Sequence, residues 1–229
     1  MIRNIRHGAG RLLLGALLLG VLGAAAGCQS VYYGTLEEIG IHKRDVLVDR
    51  VEDGRDAQQD AQAQFDSALE QFRAVVEVPD SELSRAYERL KSEYAQSENA
   101  AERLEARIAA IEEVAEALFD EWQDELSLYE SDEYRRLSER QLDATRERYA
   151  ALREAMHEAA ESMQPVLAAM RDNMLFLKHN LNARAIGALR GEVDGMERDV
   201  VALRQRMQAA IARSNAFIAE LDRRDAPGE

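Results

Sequence analysis

The one thiol in this 229-residue chain is Cys28, and small side chains precede it in Ala25-Ala26-Gly27-Cys28. A peptidase groove accepts small residues there, and the sulfur after them can take up a diacylglyceryl group. The tetrapeptide resembles a bacterial lipobox, with Ala25 standing where leucine is usual. The chemistry it predicts is acylation rather than catalysis. Ahead of it, Arg3, Arg6 and Arg11 form a basic region, residues 12–22 an apolar run and residues 23–27 a small-residue stretch. That order is the layout of a secretory signal, and the run falls short of the ~20 residues a membrane span needs. Acyl chains at ~0.8 kcal/mol per buried CH₂ would make the attachment effectively permanent. The resemblance to lipoprotein signals, with Gln29 and Ser30 in place of an aspartate after the cysteine, implies sorting to the outer membrane, facing the periplasm. The inner membrane is the alternative.

Other reactive groupings are sparse. Glu154-Ala155-Met156-His157 has the Glu-x-x-His spacing of a di-iron bundle, but such a site needs the motif on two helices and a glutamate from each of two more. Here it occurs once, and the other mature histidines, His42 and His179, lack that spacing. Asp120, Glu121, Asp124 and Glu125 crowd around Trp122. A straight helix cannot wrap a calcium ion in the 6–8 oxygens it takes, so a solvated acidic face is the stronger reading. There is no Gly-x-Ser-x-Gly elbow, and Gly187, Gly191 and Gly195 lie within a heptad pattern rather than a phosphate loop. Spaced by four, these glycines mark a stripe where another backbone can approach, or simply a soft helix start. Residues 175–184, Leu-Phe-Leu-Lys-His-Asn-Leu-Asn-Ala-Arg, are apolar and locally basic. They read as the plug under a helix–helix turn or as a contact for a partner. The sequence therefore predicts no catalytic, cofactor-binding or metal-ligating residue, and Cys28 is the one modification site.

The elements carrying these residues are set by apolar spacing. After Thr35 there is no sustained alternation of the kind strands need; apolar side chains recur instead at spacings of three and four. The first segment, from about Gly40 to Val76, has Val51, Ala61, Phe65, Ala68, Phe72 and Val75, with Gln58 a polar guest. Val78-Pro79-Asp80 ends it, because proline cannot continue the hydrogen-bond ladder, and Asp80 or Ser81 is placed to cap the second helix. The second seam is Leu83, Tyr87, Leu90, Tyr94, Ser97, Ala101, Leu104, Ile108, Ile111, Ala115, Leu118 and Trp122, and Ser131 or Asp132 can cap the third helix. The third seam runs from Leu142 through Tyr149, Met156, Met163 and Met170 to Leu177, with a kink expected at Pro165. The fourth runs from Ile186 through Val193, Val200, Met207 and Ser214 to Leu221. An unbroken third seam would continue at 180 and 184, so the slip to Ile186 across Asn180-Leu181-Asn182 marks a turn.

Four helical segments of similar length with short connections imply antiparallel neighbours. The fold class expected is all-α, an elongated antiparallel four-helix bundle or coiled coil with helices of about 40–50 residues. The organisation expected is a lipoprotein signal at 1–27, acylated cysteine and tether at 28–36, one helical-bundle domain at 37–223 and a disordered tail at 224–229.

Composition limits the partners. Loss of the leader removes three arginines and no acid, so the net charge of −14 becomes −17. Nucleic acid, which is bound by neutralising phosphates with Lys and Arg, is thereby disfavoured, and so is broad docking on anionic headgroups. Once Cys28 is acylated no disulfide can form, and stability must come from apolar packing.

Three blocks carry a family resemblance. These are residues 33–51 with Gly40-Ile41-His42-Lys43-Arg44-Asp45, residues 177–188 with Leu-Lys-His-Asn-Leu-Asn-Ala-Arg-Ala-Ile over 177–186, and between them residues 114–122 as Val-Ala-Glu-Ala-Leu-Phe-Asp-Glu-Trp. Through them the mature chain resembles an uncharacterised Gram-negative lipoprotein family, domain of unknown function 2959. The resemblance implies a helical envelope lipoprotein and brings no activity, substrate or site residue. The function expected is a non-enzymatic scaffold or adaptor, joined to the membrane through Cys28 and presenting its bundle to an envelope protein. A homo-oligomerising, membrane-shaping rod is the second expectation. An enzyme or metal carrier is a third, and requires a bound ion.

Overall fold

In the computed structural model, residues 43–180 and 183–225 are described. Cys28, His42 and the expected tether lie outside them, as do Leu181 and Asn182 of the expected turn. The packed body begins at Val46. Its helices are α1 (Lys43–Val75), α2 (Leu83–Glu125), α3 (Asp132–Glu161), α4 (Met163–His179) and α5 (Ala183–Asp225), with single 3₁₀ turns at Asp80–Glu82 and Leu126–Leu128. No strand occurs among the described residues, and the chain is an all-α bundle of long helices.

The sequence signals set the breaks, with two differences. After Val78-Pro79, a 3₁₀ lead-in places Glu82 rather than Asp80 or Ser81 at the start of α2, and the Glu82 N–H donates to the Pro79 carbonyl at 2.9 Å; the Asp80 side chain lies outside those described. Glu82, at the N-cap position of α2, makes no capping side-chain bond. Ser131 does cap α3, its Oγ accepting from the Tyr134 N–H at 3.4 Å. The third arm is divided rather than merely kinked. Pro165 lacks the N–H that would bond back one turn, and the helix breaks at Ser162, whose Oγ donates to the Ala159 carbonyl at 2.6 Å. α4 ends at His179 and α5 begins at Ala183, so the slipped heptad phase does separate two helices.

Pairs across the interfaces fix an antiparallel, up-down order. Asp53 meets Arg107 at 3.2 Å and Gln64 meets Glu93 at 3.1 Å between α1 and α2. Glu112 meets His157 and Trp122 meets Ser138 between α2 and α3. Arg148 meets Glu220 and Glu158 meets Arg206 between α3 and α5. Asp66 meets Arg204 and Arg73 meets Glu197 between α1 and α5. In each set one number rises as the other falls. Surface pairs of this kind contribute ~0–1 kcal/mol apiece; they select register more than they stabilise.

Stability comes from the seams. Every third-segment seam residue named above is buried from Leu142 to Leu177, and in the fourth segment Val193 alone is partly exposed among those named. In α2, Tyr87, Tyr94, Leu118 and Trp122 sit half-exposed at the seam's margin. Burying a Leu, Ile, Val, Phe or Met side chain contributes ~1.5–3 kcal/mol, so dozens of seam positions outweigh any other single contribution.

Two α1 seam positions break the rule that seams are apolar and bulky. Gln58 is fully buried, and neither its Nε2 nor its Oε1 has a hydrogen-bond partner. Gly54 is buried where a Cβ would lie 2.6 Å from Ile111 Cδ1, so glycine permits the close approach of α1 to α2. An unpaired buried amide costs ~1–3 kcal/mol, and Gln58→Leu is expected to raise unfolding free energy by that amount in urea titration. A lower stability would mean that the amide is satisfied. Gly54→Leu overpacks the interface and is expected to cost ~1–3 kcal/mol, partly recovered when Ile111→Ala is added.

Candidate functional site

The residues whose types could do chemistry do not converge. His157, on α3, places Nε2 2.8 Å from Glu112 Oε1 of α2, so its ring is engaged across a helix interface. Glu154 lies exposed one turn earlier. Among the described residues no group of three or more His, Cys, Asp and Glu side chains could hold a metal ion. A shallow open groove beside His157 and Glu112 is lined by Glu105, Ile108, Ala109, Ala160, Glu161 and Gln164.

The acidic residues around Trp122 belong to the hairpin joining α2 to α3. Asp120, Asp124 and Glu125 face solvent. Trp122 is not a core residue; its indole Nε1 donates to Ser138 Oγ at 2.7 Å and ties the two helices near their junction. Behind it, Arg146 lies 5.7 Å over the Phe119 ring and donates to the Phe119 carbonyl at 3.2 Å. Phe119 meets Tyr149 edge-on at 5.4 Å, and Tyr149 meets Phe217 of α5 at 6.1 Å. Burial, with Glu112 adding to it, pushes the Tyr149 phenol up to about 12. This group is a packing element.

At the other end of α4, the apolar stretch combines a core plug with an open face. Leu177 is fully buried, whereas Leu175 and Phe176 remain about two-fifths exposed. Across an open groove from Phe176 lie Ala188, Leu189 and Glu192 of α5. Gly187 and Gly191 have nothing within 4 Å of an added Cβ, and Gly195 meets only the tip of Arg198. Among the described residues the stripe is therefore bare, and no described helix uses it for close approach. The glycine that is used that way, Gly54, was legible only through its phase, three residues after Val51 and four before Gln58.

One surface has no counterpart among the sequence expectations. Leu128, Tyr129, Tyr134 and Leu137 are exposed at the tip of the α2–α3 hairpin, with Leu128 at 76%. Heptad phase marks these side chains as off-seam, but it does not show that they share one tip. Among the described residues no helix is long and apolar enough to cross a membrane.

A family model described as a protein of unknown function (DUF2959) matches residues 32–221. No curated protein and no solved structure matches the chain.

Two measurements test these assignments. The raised Tyr149 value means that the folded state keeps the phenol protonated while the unfolded chain loses the proton near pH 10. Its contribution is complete below about pH 10 and is lost as pH rises towards about 12. Tyr149→Phe is expected to flatten that alkaline loss in thermal melts, and an unchanged pH profile would reject the assignment. Gly191→Ala, with open space for its methyl, is expected to add ~0.5–1 kcal/mol through helix propensity alone.

Proposed function

The chain belongs to the DUF2959 family, and on that premise we propose that it is a lipid-anchored, periplasm-facing envelope lipoprotein acting as a non-enzymatic scaffold or adaptor. The observation that carries this reading is Cys28, the chain's one thiol, placed after Ala25-Ala26-Gly27 and an apolar run. It precedes a body in which, among the described residues, no three His, Cys, Asp or Glu side chains are placed to hold a metal ion, and in which charges such as Asp53–Arg107, Arg148–Glu220 and Glu158–Arg206 pair across helices. Anchoring at the outer membrane is the expected location. A long bundle on a chain whose net charge falls from −14 to −17 when the three leader arginines are lost offers a broad acidic surface, suited to a partner with basic patches and poorly suited to anionic lipid or nucleic acid. The same charge disfavours the membrane-shaping rod.

Metabolic labelling with a clickable palmitate analogue tests the anchor. Wild type is expected to take up label and to fractionate with membranes; Cys28→Ser is expected to lose both while keeping its helical circular dichroism. Label retained in Cys28→Ser would refute acylation at this residue.

A further inference from the structure

The α2–α3 hairpin is built to project. α1 and α2 are aligned where Gly54 faces Ile111 and Asp53 pairs with Arg107. From those contacts α1 runs back ~12 Å to Val46, while α2 runs on ~21 Å in the same direction to Glu125. On the other side, α3 and α5 are aligned where Arg148 pairs with Glu220. From there α5 continues ~8 Å to Asp225, while α3 extends ~24 Å to its start at Asp132. The hairpin thus reaches ~9 Å beyond Val46 and ~16 Å beyond the end of α5. Its turn is firmly made. The Ser127 hydroxyl donates to the Asp124 carbonyl at 2.8 Å, Ser131 caps α3, Leu126 is buried and Trp122 is tied to Ser138. Yet this projection exposes Leu128, Tyr129, Tyr134 and Leu137 together. A patch of that kind on a rigid protrusion calls for something to cover it.

The point where the chain enters the bundle indicates the cover. Val46 lies at the same end as the tip, and Cys28 precedes Lys43 by fourteen intervening residues, which span at most ~50 Å when extended. An acyl anchor at Cys28 therefore holds the bilayer within reach of this end, and tethering turns even a weak contact there into an intramolecular one. Tyrosine with leucine is the composition that settles at headgroup depth, apolar body inward and hydroxyl in water. Over residues 124–140 six carboxylates outnumber three arginines, so an anionic surface would repel the tip. We propose that Leu128, Tyr129, Tyr134 and Leu137 dock the hairpin tip into the headgroup zone of a zwitterionic bilayer, the one to which Cys28 is acylated. The inference rests on the lipoprotein reading above. A second contact besides the anchor would fix how the body stands on the membrane, leaving the Leu175–Phe176 end free for a partner.

Trp122, the chain's one tryptophan, lies nearly two turns behind Leu128 and serves as the probe. The acylated full chain is incorporated into phosphatidylcholine vesicles with or without brominated acyl chains, and flotation and tryptophan emission are read together. The expected result is flotation in both, with emission quenched about twofold by the brominated lipid, because an interfacial tip brings the indole near the acyl chains. Combining Leu128→Ser, Tyr134→Ser and Leu137→Ser, all at exposed positions, is expected to restore emission without reducing flotation, and added anionic lipid to weaken the quenching. Flotation without quenching, or quenching that survives the triple substitution, overturns the inference and leaves the anchor standing. Emission that tracks protein density instead of bromine would assign the tip to a second copy of the chain and likewise overturn it. Failure of the acylated chain to float removes the anchored reading, and the inference with it.

Discussion

Each long arm of this protein has one apolar stripe, with side chains three and four residues apart, and the burial of those stripes against one another underlies every other feature. No disulfide within the chain is possible, since Cys28 is its one cysteine. The aromatic side chains are few, and the ion pairs across the interfaces are partly solvated. What remains is the packing of Leu, Ile, Val, Met, Phe and Ala in long rows, with a net contribution that must exceed the entropy of ordering the helices. That requirement explains why the polar residues admitted to the seam are small or locally satisfied. Thr145 donates to the Gln141 carbonyl, Asn173 to Ala169 and Ser214 to Ala210, each one turn back. Gln58 is the exception, and its unpaired amide suits selection of register rather than stability.

The seam also explains the chemical quiet of the body. A narrow buried stripe keeps the charged residues at its margins, where several pair across helices. His157 with Glu112 is typical: a histidine and a carboxylate meet, but on the shoulder of two helices and without a third group. Where the chain departs from continuous packing, it does so at the ends. One end carries the bare glycines beside Phe176; the other carries the hairpin that outruns its neighbours. Interaction with anything outside the chain is most readily placed at those two ends.

Much of this was legible in the sequence because the heptad reports its own phase. The slip from Leu177 to Ile186 located the break between α4 and α5, and Pro165 located the division of the third arm at Ser162. Properties set by neighbours were not legible. Gly54 looks like a helix-weakening residue until Ile111 is found against it. Trp122 fits the seam by spacing, but it lies near the hairpin end, where fewer helices flank it, and so stays half-exposed. The grouping of Leu128, Tyr129, Tyr134 and Leu137 depends on how far each helix runs, which phase alone does not encode. The single Glu154–His157 spacing read as a solvated histidine rather than a metal ligand, but sequence alone did not show that Glu112 of α2 would pair with it.

In-cell crosslinking followed by affinity purification, comparing wild type with Cys28→Ser, addresses the adaptor reading most directly. Recovery of one envelope protein with wild type, lost when the anchor residue is replaced, is the predicted result. Recovery of the protein alone, in both forms, would contradict an adaptor and point to self-assembly.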